Sequence, residues 1–563
     1  MAGGGIASSG GPTTRSGGAT AAGGATGAGG ATSAGGAAAA GGSGSKATYL
    51  PARIRRLTNA EYDASAQALL GTTKRPSGEF SFPPDSRQGP SNSPAGAAFT
   101  LNDAQRVDPV LASKLDQAAQ ALVTEARANG KLATLAPCTE TGAAPESCAT
   151  TFLRTFGAKA FRRPVLDEEV ATLVSRAGSP YHLGANGHTY EEGIDVLVRV
   201  VLQTPAFLYV TELGDSPPGT STQLTANEIA STLSYLLTSS PPDSALLAKA
   251  ASGELLTPDG RDAEARRLIG TAAGKDRFIR VVQQWLGIED VARREKAQSV
   301  YPEFASLSQS MESESRAFIE EVLFNSTGTL GELLTADWTI ADAPLATLYG
   351  VAPAGGGRRT SLVGVPRRGI LSQGAFLSVF ATNNGSHPVF RGVAVMRRIT
   401  CLDTPDPGAL GIVVSFPASD AAKTTRARFE AHALDAGCAG CHRTIDALGF
   451  TLENFDGIGK FRTTENGLSV DSSVTVSTGA DFDGPYRDSV ELVMALARSP
   501  SVKVCLARQL FRSSAGRSDA SVRGVEDAFV GIWQSLAAEK QDRLAEVLIA
   551  YVRSPLFIQR GPS

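Results

Sequence analysis

Residues 431–462 read AHALDAGCAGCHRTIDALGFTLENFDGIGKFR, with two cysteines three positions apart, Cys438 and Cys441, and with His442 directly after the second. This spacing is the attachment signature of a c-type haem. A helical turn between the cysteines presents both thiols to the two vinyl groups on one porphyrin edge, and the next residue offers an imidazole to the iron. The stretch therefore predicts one covalent haem c per chain, with His442 as an iron ligand.

Other chemistries use the same cysteine spacing. A zinc site needs a second Cys/His pair at ligand spacing, and the sequence contains none. A redox dithiol of the thioredoxin type sits in a βαβ unit, and the flanking sequence shows no such pattern. A plain disulfide between Cys438 and Cys441, in a protein without haem, stays open as an alternative.

The second axial ligand has several candidates. His432 lies ten residues before His442, and Met494 lies on a predicted downstream helix; core or capping roles would explain both residues as well. His387, in a loop, is a less favoured third candidate. Arg462 ends the stretch, and its guanidinium could pair with a haem propionate or with nearby acids.

Four further cysteines predict two disulfides. Cys138 and Cys148 flank a short polar loop, whose closure would stabilise the fold by about 2–3 kcal/mol. Cys401 and Cys505 remain, and parity favours their pairing. Disulfides need an oxidising compartment, and haem c is attached outside the cytoplasm as well. We therefore expect an extracytoplasmic protein that is periplasmic, outer-membrane-associated or secreted.

The N-terminal residues 1–46 are a Gly/Ala/Ser/Thr-rich spacer without the apolar core of a signal peptide. No later run reaches the roughly 18 apolar residues of a transmembrane helix. We expect the export signal upstream of Met1 and a possible surface anchor through this spacer. The net charge of −3 and the interspersed charges argue against nucleic acid as a partner.

The remaining 517 or so residues carry mostly helical patterns, including capping boxes at Thr58/Glu61 and Thr225/Glu228. Residues 466–489 favour a short β-hairpin. The predicted fold class is mainly α: a multi-helical body with a C-terminal cytochrome-c-like haem segment and a minor β-hairpin. The predicted segments are a disordered spacer (1–46), an N-terminal helical domain (47–135), a disulfide loop with a helical domain (136–215), a helical domain (216–355), the CxxCH domain (356–475) and a C-terminal helical domain (476–563).

Six stretches in order resemble one known family. They are RLTNAEYDASAQALLG, FGAKAFRRPV, TPAFLYVTE, RRGILSQGAFL with HPVFRGVAVMRRITC, the CxxCH motif with LGFTLENFDGIGKFR, and VKVCLARQLFRSSAGR, spread over about 53–517. The chain resembles multi-domain secreted proteins of planctomycetes and myxobacteria that are built from a string of domains of unknown function, often with an additional planctomycete-type cytochrome c domain. The resemblance implies a helical body, a haem-c-like site and an extracytoplasmic location, and it implies no reaction.

Three functions remain open from the sequence. The leading hypothesis is electron transfer by a mono-haem c protein with an unknown redox partner, because one haem cannot form a long electron path alone. A haem-dependent oxidoreductase acting on peroxide or O₂ is the second, since an open sixth iron position would allow it. A cell-surface binding or scaffold protein without haem is the third.

Overall fold

Threonine caps begin helices at the positions that the sequence predicts. The Thr58 hydroxyl accepts a hydrogen bond from the Glu61 backbone N–H (3.2 Å), and the Glu61 carboxylate accepts one from the Thr58 N–H (2.9 Å). Thr225 and Glu228 repeat this reciprocal pair. Both predicted capping boxes are confirmed, and each satisfies two backbone N–H groups that a helix start leaves unpaired.

The structure is a computed structural model, and it covers the predicted body of the chain with several gaps. The described residues are 49–86, 99–100, 106–140, 145–185, 189–217, 219–403, 408, 411, 417–418, 420–432, 436–517 and 521–562. The predicted spacer 1–46 lies outside them. Residues Ala47–Ser563 pack as one unit, and the domain boundaries predicted inside this unit stay predictions.

Helices dominate the N-terminal half. They are α1 (Asn59–Leu70), α2 (Pro76–Glu79), α3 (Pro109–Ala128), α4 (Lys131–Leu135), α5 (Glu146–Phe161), α6 (Asp167–Val170), α7 (Pro180–Ala185), α8 (Tyr190–Val201), α9 (Pro205–Leu208), α10 (Ala226–Thr238), α11 (Ser244–Ala251), α12 (Pro258–Gly270) and α13 (Ala272–Leu286).

Helices dominate the C-terminal half as well. They are α14 (Phe304–Asn325), α15 (Leu330–Thr335), α16 (Ala343–Tyr349), α17 (Gly374–Val379), α18 (Pro388–Ala394), α19 (Thr425–His432), α20 (Ala436–Phe450), α21 (Ser489–Arg498), α22 (Pro500–Ala515), α23 (Ser521–Gln534), α24 (Leu544–Arg553) and α25 (Pro555–Ile558). The mainly α class is confirmed. Among the described helices, none combines the length and the apolar character that crossing a bilayer requires.

The strands are short and form antiparallel pairs. They are β1 (Arg53–Arg56) with β2 (Tyr209–Glu212), β3 (Thr222–Gln223) with β10 (Gln559–Arg560), β4 (Trp338–Thr339) with β5 (Thr360–Ser361), β6 (Thr464–Glu465) with β7 (Leu468–Ser469), and β8 (Val474–Val476) with β9 (Gly484–Tyr486). The last two pairs involve the stretch 466–489, where the sequence predicts a hairpin. In the first pair Arg53 lies opposite Glu212, so a charged pair joins strands that are distant in the sequence.

Two hydrophobic cores hold the helices together. One gathers apolar side chains of α1, α3, α5, α7 and α8. The other, larger core contains Leu50, Phe99 and apolar side chains between Leu224 and Ile558, among them Ile445 and Leu448 of α20. The helix that carries the CxxCH motif is therefore built into the larger core on one side.

Both predicted disulfides are present. Cys138 and Cys148 are bonded with their Cα atoms 5.6 Å apart, and Cys401 and Cys505 are bonded with theirs 5.3 Å apart. The first bond closes a local loop. The second connects positions 104 residues apart and joins the segment after α18 to α22.

Candidate functional site

The CxxCH motif lies in the first half of α20. Cys438 and Cys441 are three residues apart on this helix, so their side chains share one face. Both are half-buried, and both are free thiols, whereas the other four cysteines form disulfides. Cys441 packs against the larger core. These two cysteines are thus the thiols of the chain that covalent attachment could use.

His442 is held by a buried carboxylate one helical turn further on. Its Nδ1 lies 3.0 Å from Oδ1 of Asp446, and the two side chains are 18% and 6% exposed. A carboxylate accepts hydrogen bonds, so Nδ1 carries the hydrogen of this contact. In metal sites that use a histidine–carboxylate pair, the second ring nitrogen binds the metal, so Nε2 of His442 would be the iron-binding atom if a haem were attached.

These residues fit a covalently attached haem. The thiols of Cys438 and Cys441 are unbonded and one turn apart, and His442 follows them with its ring oriented through Nδ1. The Oδ2 atom of Asp446 is buried and has no hydrogen-bond partner among the described residues. Burying such an oxygen costs free energy, and positive charge on an iron-bound imidazole would offset that cost. Cys438 and Cys441 would hold the group through thioether bonds, and His442 would bind the iron.

A zinc site gains no support from the surrounding residues. Within the described part of the chain, no group of three or more His, Cys, Asp or Glu side chains comes together in a way that could hold a metal ion. Structural zinc sites use four such ligands.

Helix α18 fixes the position of α20 by close backbone contact. A Cβ atom on Gly392 would lie 1.9 Å from the Ile445 carbonyl oxygen, and one on Gly449 would lie 1.9 Å from the Pro388 carbonyl oxygen. Gly392 thus meets Ile445 while Pro388 meets Gly449, so the two helices run antiparallel. Only glycine allows an approach this close, and the two glycines together make the crossing.

A buried arginine of α18 holds the turn that follows α20. Arg391 is fully buried and donates hydrogen bonds to the carbonyl oxygens of Leu452 (3.0 Å), Phe455 (2.6 Å) and Asp456. The Asp456 carboxylate closes the same turn by accepting from the Lys460 backbone N–H at 2.8 Å. The stretch LENFDGIGKFR is therefore a tightly bound turn that anchors the C-terminal end of α20.

Glu453 and Arg462 form a buried ion-pair network in this turn. Glu453 is 1% exposed, accepts from Ser386 Oγ at 2.8 Å and pairs with Arg462 at 3.3 Å and Arg391 at 3.7 Å. Burial raises the pKa of Glu453, and the two arginines oppose that shift. Arg462 also pairs with Glu465 at 3.0 Å. The guanidinium of Arg462 is thus engaged by two carboxylates, and its pairing with a propionate stays a prediction.

Neither predicted distal ligand is brought to the iron side by a described contact. His432 ends α19, and its side chain lies outside the described residues. Met494 is 40% exposed on α21, a helix that packs against α15 and α22. Their roles as distal ligands stay predictions.

His387 has a structural role at the start of α18. Its Nδ1 accepts from the Phe390 backbone N–H at 3.2 Å, and its ring stacks on Phe390 with centroids 3.7 Å apart. Burial, helped by Arg391, lowers the pKa of His387 to about 3, so the ring is neutral. Because the neighbouring Pro388 meets Gly449, the start of α18 lies roughly 10 Å along α20 from His442.

The second disulfide secures the other end of α18. This helix continues as the π-helical turn Val395–Ile399, and Cys401 follows after Thr400. The bond to Cys505 ties this end to α22. Beside it, the Trp285 indole N–H donates to the Arg398 carbonyl oxygen at 2.6 Å. The helix that supports α20 is therefore held by a covalent bond as well as by packing.

Three features of the site lie beyond the residues that the sequence singles out. Asp446 follows His442 by four residues, a spacing that pairs side chains on a helix. Arg391 sits in HPVFRGVAVMRRITC, one of the stretches that resemble the family. Gly392 and Gly449 are isolated glycines inside helices, which commonly mark a packing role. Each signal is present in the sequence, but its partner is visible only in the structure.

The fold and the site together define a mainly α, multi-segment protein with a CxxCH helix. Three family models match it: PSD5, a protein of unknown function (DUF1595), at residues 148–212; PSD4, a protein of unknown function (DUF1592), at 224–351; and PSCyt3, a protein of unknown function (DUF1588), at 367–465. Together these spans take in just over half of the 563 residues.

The chain carries these three domains in a string, which matches the predicted resemblance to planctomycete cytochrome c-associated proteins. The matched spans fall inside the predicted segments 136–215, 216–355 and 356–475. No curated protein and no solved structure matches the chain. The PSCyt3 span contains Cys438, Cys441 and His442, so the candidate site lies in the family's cytochrome-c-associated domain.

Proposed function

We propose that the protein is an extracytoplasmic mono-haem c protein that exchanges electrons with a partner protein. The observation that carries this proposal is the arrangement on α20. Two unbonded, half-buried thiols one turn apart precede a histidine that a buried carboxylate orients. The bound haem would supply one-electron redox chemistry. One haem per chain requires a partner close by, because it cannot carry electrons over a long distance alone.

The residues of the chain would divide the work of holding the group. Cys438 and Cys441 would attach it through thioether bonds, and His442 would bind the iron through Nε2. Arg462, which is 19% exposed and lies at the end of the turn after α20, is our candidate for a propionate contact, in which its fork of donors would serve a carboxylate. The turn held by Arg391 would keep these residues in one orientation.

The cysteine bonds support the proposed location. Disulfides persist in oxidising compartments and are rare in the cytosol, and the chain carries two, Cys138–Cys148 and Cys401–Cys505. Periplasmic, outer-membrane-associated and secreted locations are all compatible with them. The Gly/Ala-rich residues 1–46 would act as a tether to a surface in this proposal.

The test is a pyridine haemochrome spectrum of the full chain produced with the c-type maturation system, after acid–acetone extraction. The wild type should retain a covalent haem, and Cys438→Ala with Cys441→Ala should lose it. Gly440→Ala is the matched control, because it changes the residue between the cysteines and its new Cβ would meet no atom within 4 Å. A wild type without haem, or a double variant that keeps its Soret band, would show the proposal to be wrong.

One observation favours a haem-dependent oxidoreductase as the second candidate. Met494 is 40% exposed on α21, which packs against α15 and α22, and His387 caps α18, so the described contacts assign neither residue to a sixth iron position. A weakly held sixth position admits peroxide or O₂. Bands sensitive to CO or cyanide would support this function, and sharp, insensitive bands would support electron transfer. Complete absence of a haem band would favour the third function, a binding or scaffold protein without haem.

A further inference from the structure

We propose that Asp446 is a positioning residue that sets the reduction potential of the site. In this inference, which rests on the proposed haem, the Asp446 carboxylate fixes the ring of His442 and makes it a stronger electron donor. The ferric state is then favoured over the ferrous state. The same carboxylate would shape either proposed function, because a strongly donating axial ligand also favours the activation of bound oxygen species.

The geometry of the pair leaves it little freedom. Both residues lie on α20 one turn apart, with Nδ1 and Oδ1 separated by 3.0 Å. Ile445, next to Asp446, is the residue whose carbonyl oxygen meets Gly392 of α18 in the backbone contact. The backbone that carries the carboxylate is therefore fixed by packing, and the imidazole must follow the carboxylate.

Within the described part of the chain, His442 is the group that faces the charge of Asp446. The Asp446 side chain is 6% exposed, its Oδ1 contacts His442, and its Oδ2 is buried with no hydrogen-bond partner among the described residues. Among the described residues, no lysine or arginine forms an ion pair with it. A buried carboxylate that lacks a cation is stabilised by any positive charge that develops next to it. An imidazole bound to ferric iron carries more positive charge than one bound to ferrous iron, so the carboxylate favours the ferric state.

The direct experiment is a spectroelectrochemical titration of the haem-loaded full chain. Asp446→Asn keeps the shape and an acceptor atom but removes the charge, and it should shift the ferric/ferrous equilibrium toward ferrous by about tenfold, which is about 59 mV for a one-electron couple. Asp446→Glu, which restores a carboxylate, should recover part of the difference. Asp471→Asn is the control for charge alone, because this aspartate is 63% exposed and pairs with Arg426.

A second measurement does not depend on haem. The haem-free full chain, labelled with ¹⁵N-histidine, contains five histidines, and His442→Gln assigns the signal of interest. The wild type should show the Nδ1–H tautomer at His442, and Asp446→Ala should shift the ring toward the Nε2–H tautomer. This readout decides the positioning role even if an Asp446 variant fails to take up haem.

The outcomes separate this inference from the proposed function. A wild type that never acquires haem overturns both. If the wild type carries haem and the reduction potential of Asp446→Asn equals that of both the wild type and Asp471→Asn, only the role of Asp446 is overturned. An Nε2–H tautomer at His442 in the haem-free wild type also overturns it. A raised potential together with the Nδ1–H tautomer establishes the role.

Discussion

Replacing Gly392 by alanine should push α18 and α20 apart. The new Cβ would lie 1.9 Å from the oxygen and 2.8 Å from the carbon of the Ile445 carbonyl. Both are backbone atoms in the middle of a helix, so a change of side-chain rotamer cannot relieve the clash. The distance from Cβ to oxygen has to grow from 1.9 to at least 3.0 Å before it reaches the range of real contacts.

The cost of this separation follows from the packing that it breaks. Forcing an extra methyl group into a packed core costs about 1–3 kcal/mol, occasionally more. The helix itself would gain about 0.5–1 kcal/mol from the exchange of glycine for alanine. Because the clash is with rigid backbone and the crossing includes a second contact at Gly449, we expect a net loss near the upper limit, about 3 kcal/mol.

Guanidinium unfolding of the full chain provides the assay, with the midpoint and slope compared between variants. Gly440→Ala is the control, because it also replaces glycine by alanine, on α20, where the new Cβ would meet no atom within 4 Å. The control should be neutral or slightly stabilising, and Gly392→Ala should also lower the fraction of chains that acquire haem. Our account of the helix crossing is refuted if Gly392→Ala unfolds within about 0.5 kcal/mol of the control, the range of ordinary surface substitutions.

The other predictions concern the disulfides and one buried acid. On the chain-entropy model, replacing Cys401 and Cys505 by alanine should lower the free energy of unfolding by about 4–5 kcal/mol, because that disulfide closes a loop of 104 residues. Replacing Cys138 and Cys148 should lower it by about 2–3 kcal/mol, because that loop spans 10 residues. Equal losses in guanidinium unfolding would contradict this order. Burial raises the pKa of Glu314 from 4.5 to about 7. Since the native state then binds the proton more tightly, stability should fall by up to about 3 kcal/mol between pH 4.5 and 7 and level off above. Glu314→Gln should flatten that part of the profile, and an unchanged profile would count against this carboxyl as its source.

Local signals explain which parts of the fold could be predicted from the sequence. A capping box, as at Thr58, depends on residues three positions apart, and the pairing of Cys401 with Cys505 followed from parity. Strand β1 (Arg53–Arg56) could not be predicted in the same way. Three of its four residues are arginines, and its partner β2 (Tyr209–Glu212) lies more than 150 residues away.

The candidate site likewise has residues that the sequence predicts and residues that it does not. Cys438, Cys441 and His442 are recognisable because haem attachment imposes a short, fixed spacing. Asp446 also stands at a helical spacing from His442, but the same spacing occurs on many solvated helix faces. Its importance depends on its burial, which arises from helices packed around α20. The hydrogen bonds from Arg391 to backbone carbonyl oxygens could not be predicted either, because the sequence does not distinguish a buried arginine from a surface arginine.

The supports of α20 are distributed unevenly along the helix, and this has a consequence for electron transfer. The close contacts at Gly392 and Gly449 and the turn bound by Arg391 all lie in its C-terminal half or beyond it. The N-terminal half presents Cys438 and Cys441 half-buried. A group attached there would have one edge bound to a rigid scaffold while another part stayed close to the surface. A rigid support would hold the attached group in one geometry, and nearness to the surface would shorten the path to a docked partner. The two halves of the helix would thus meet different requirements of the proposed function.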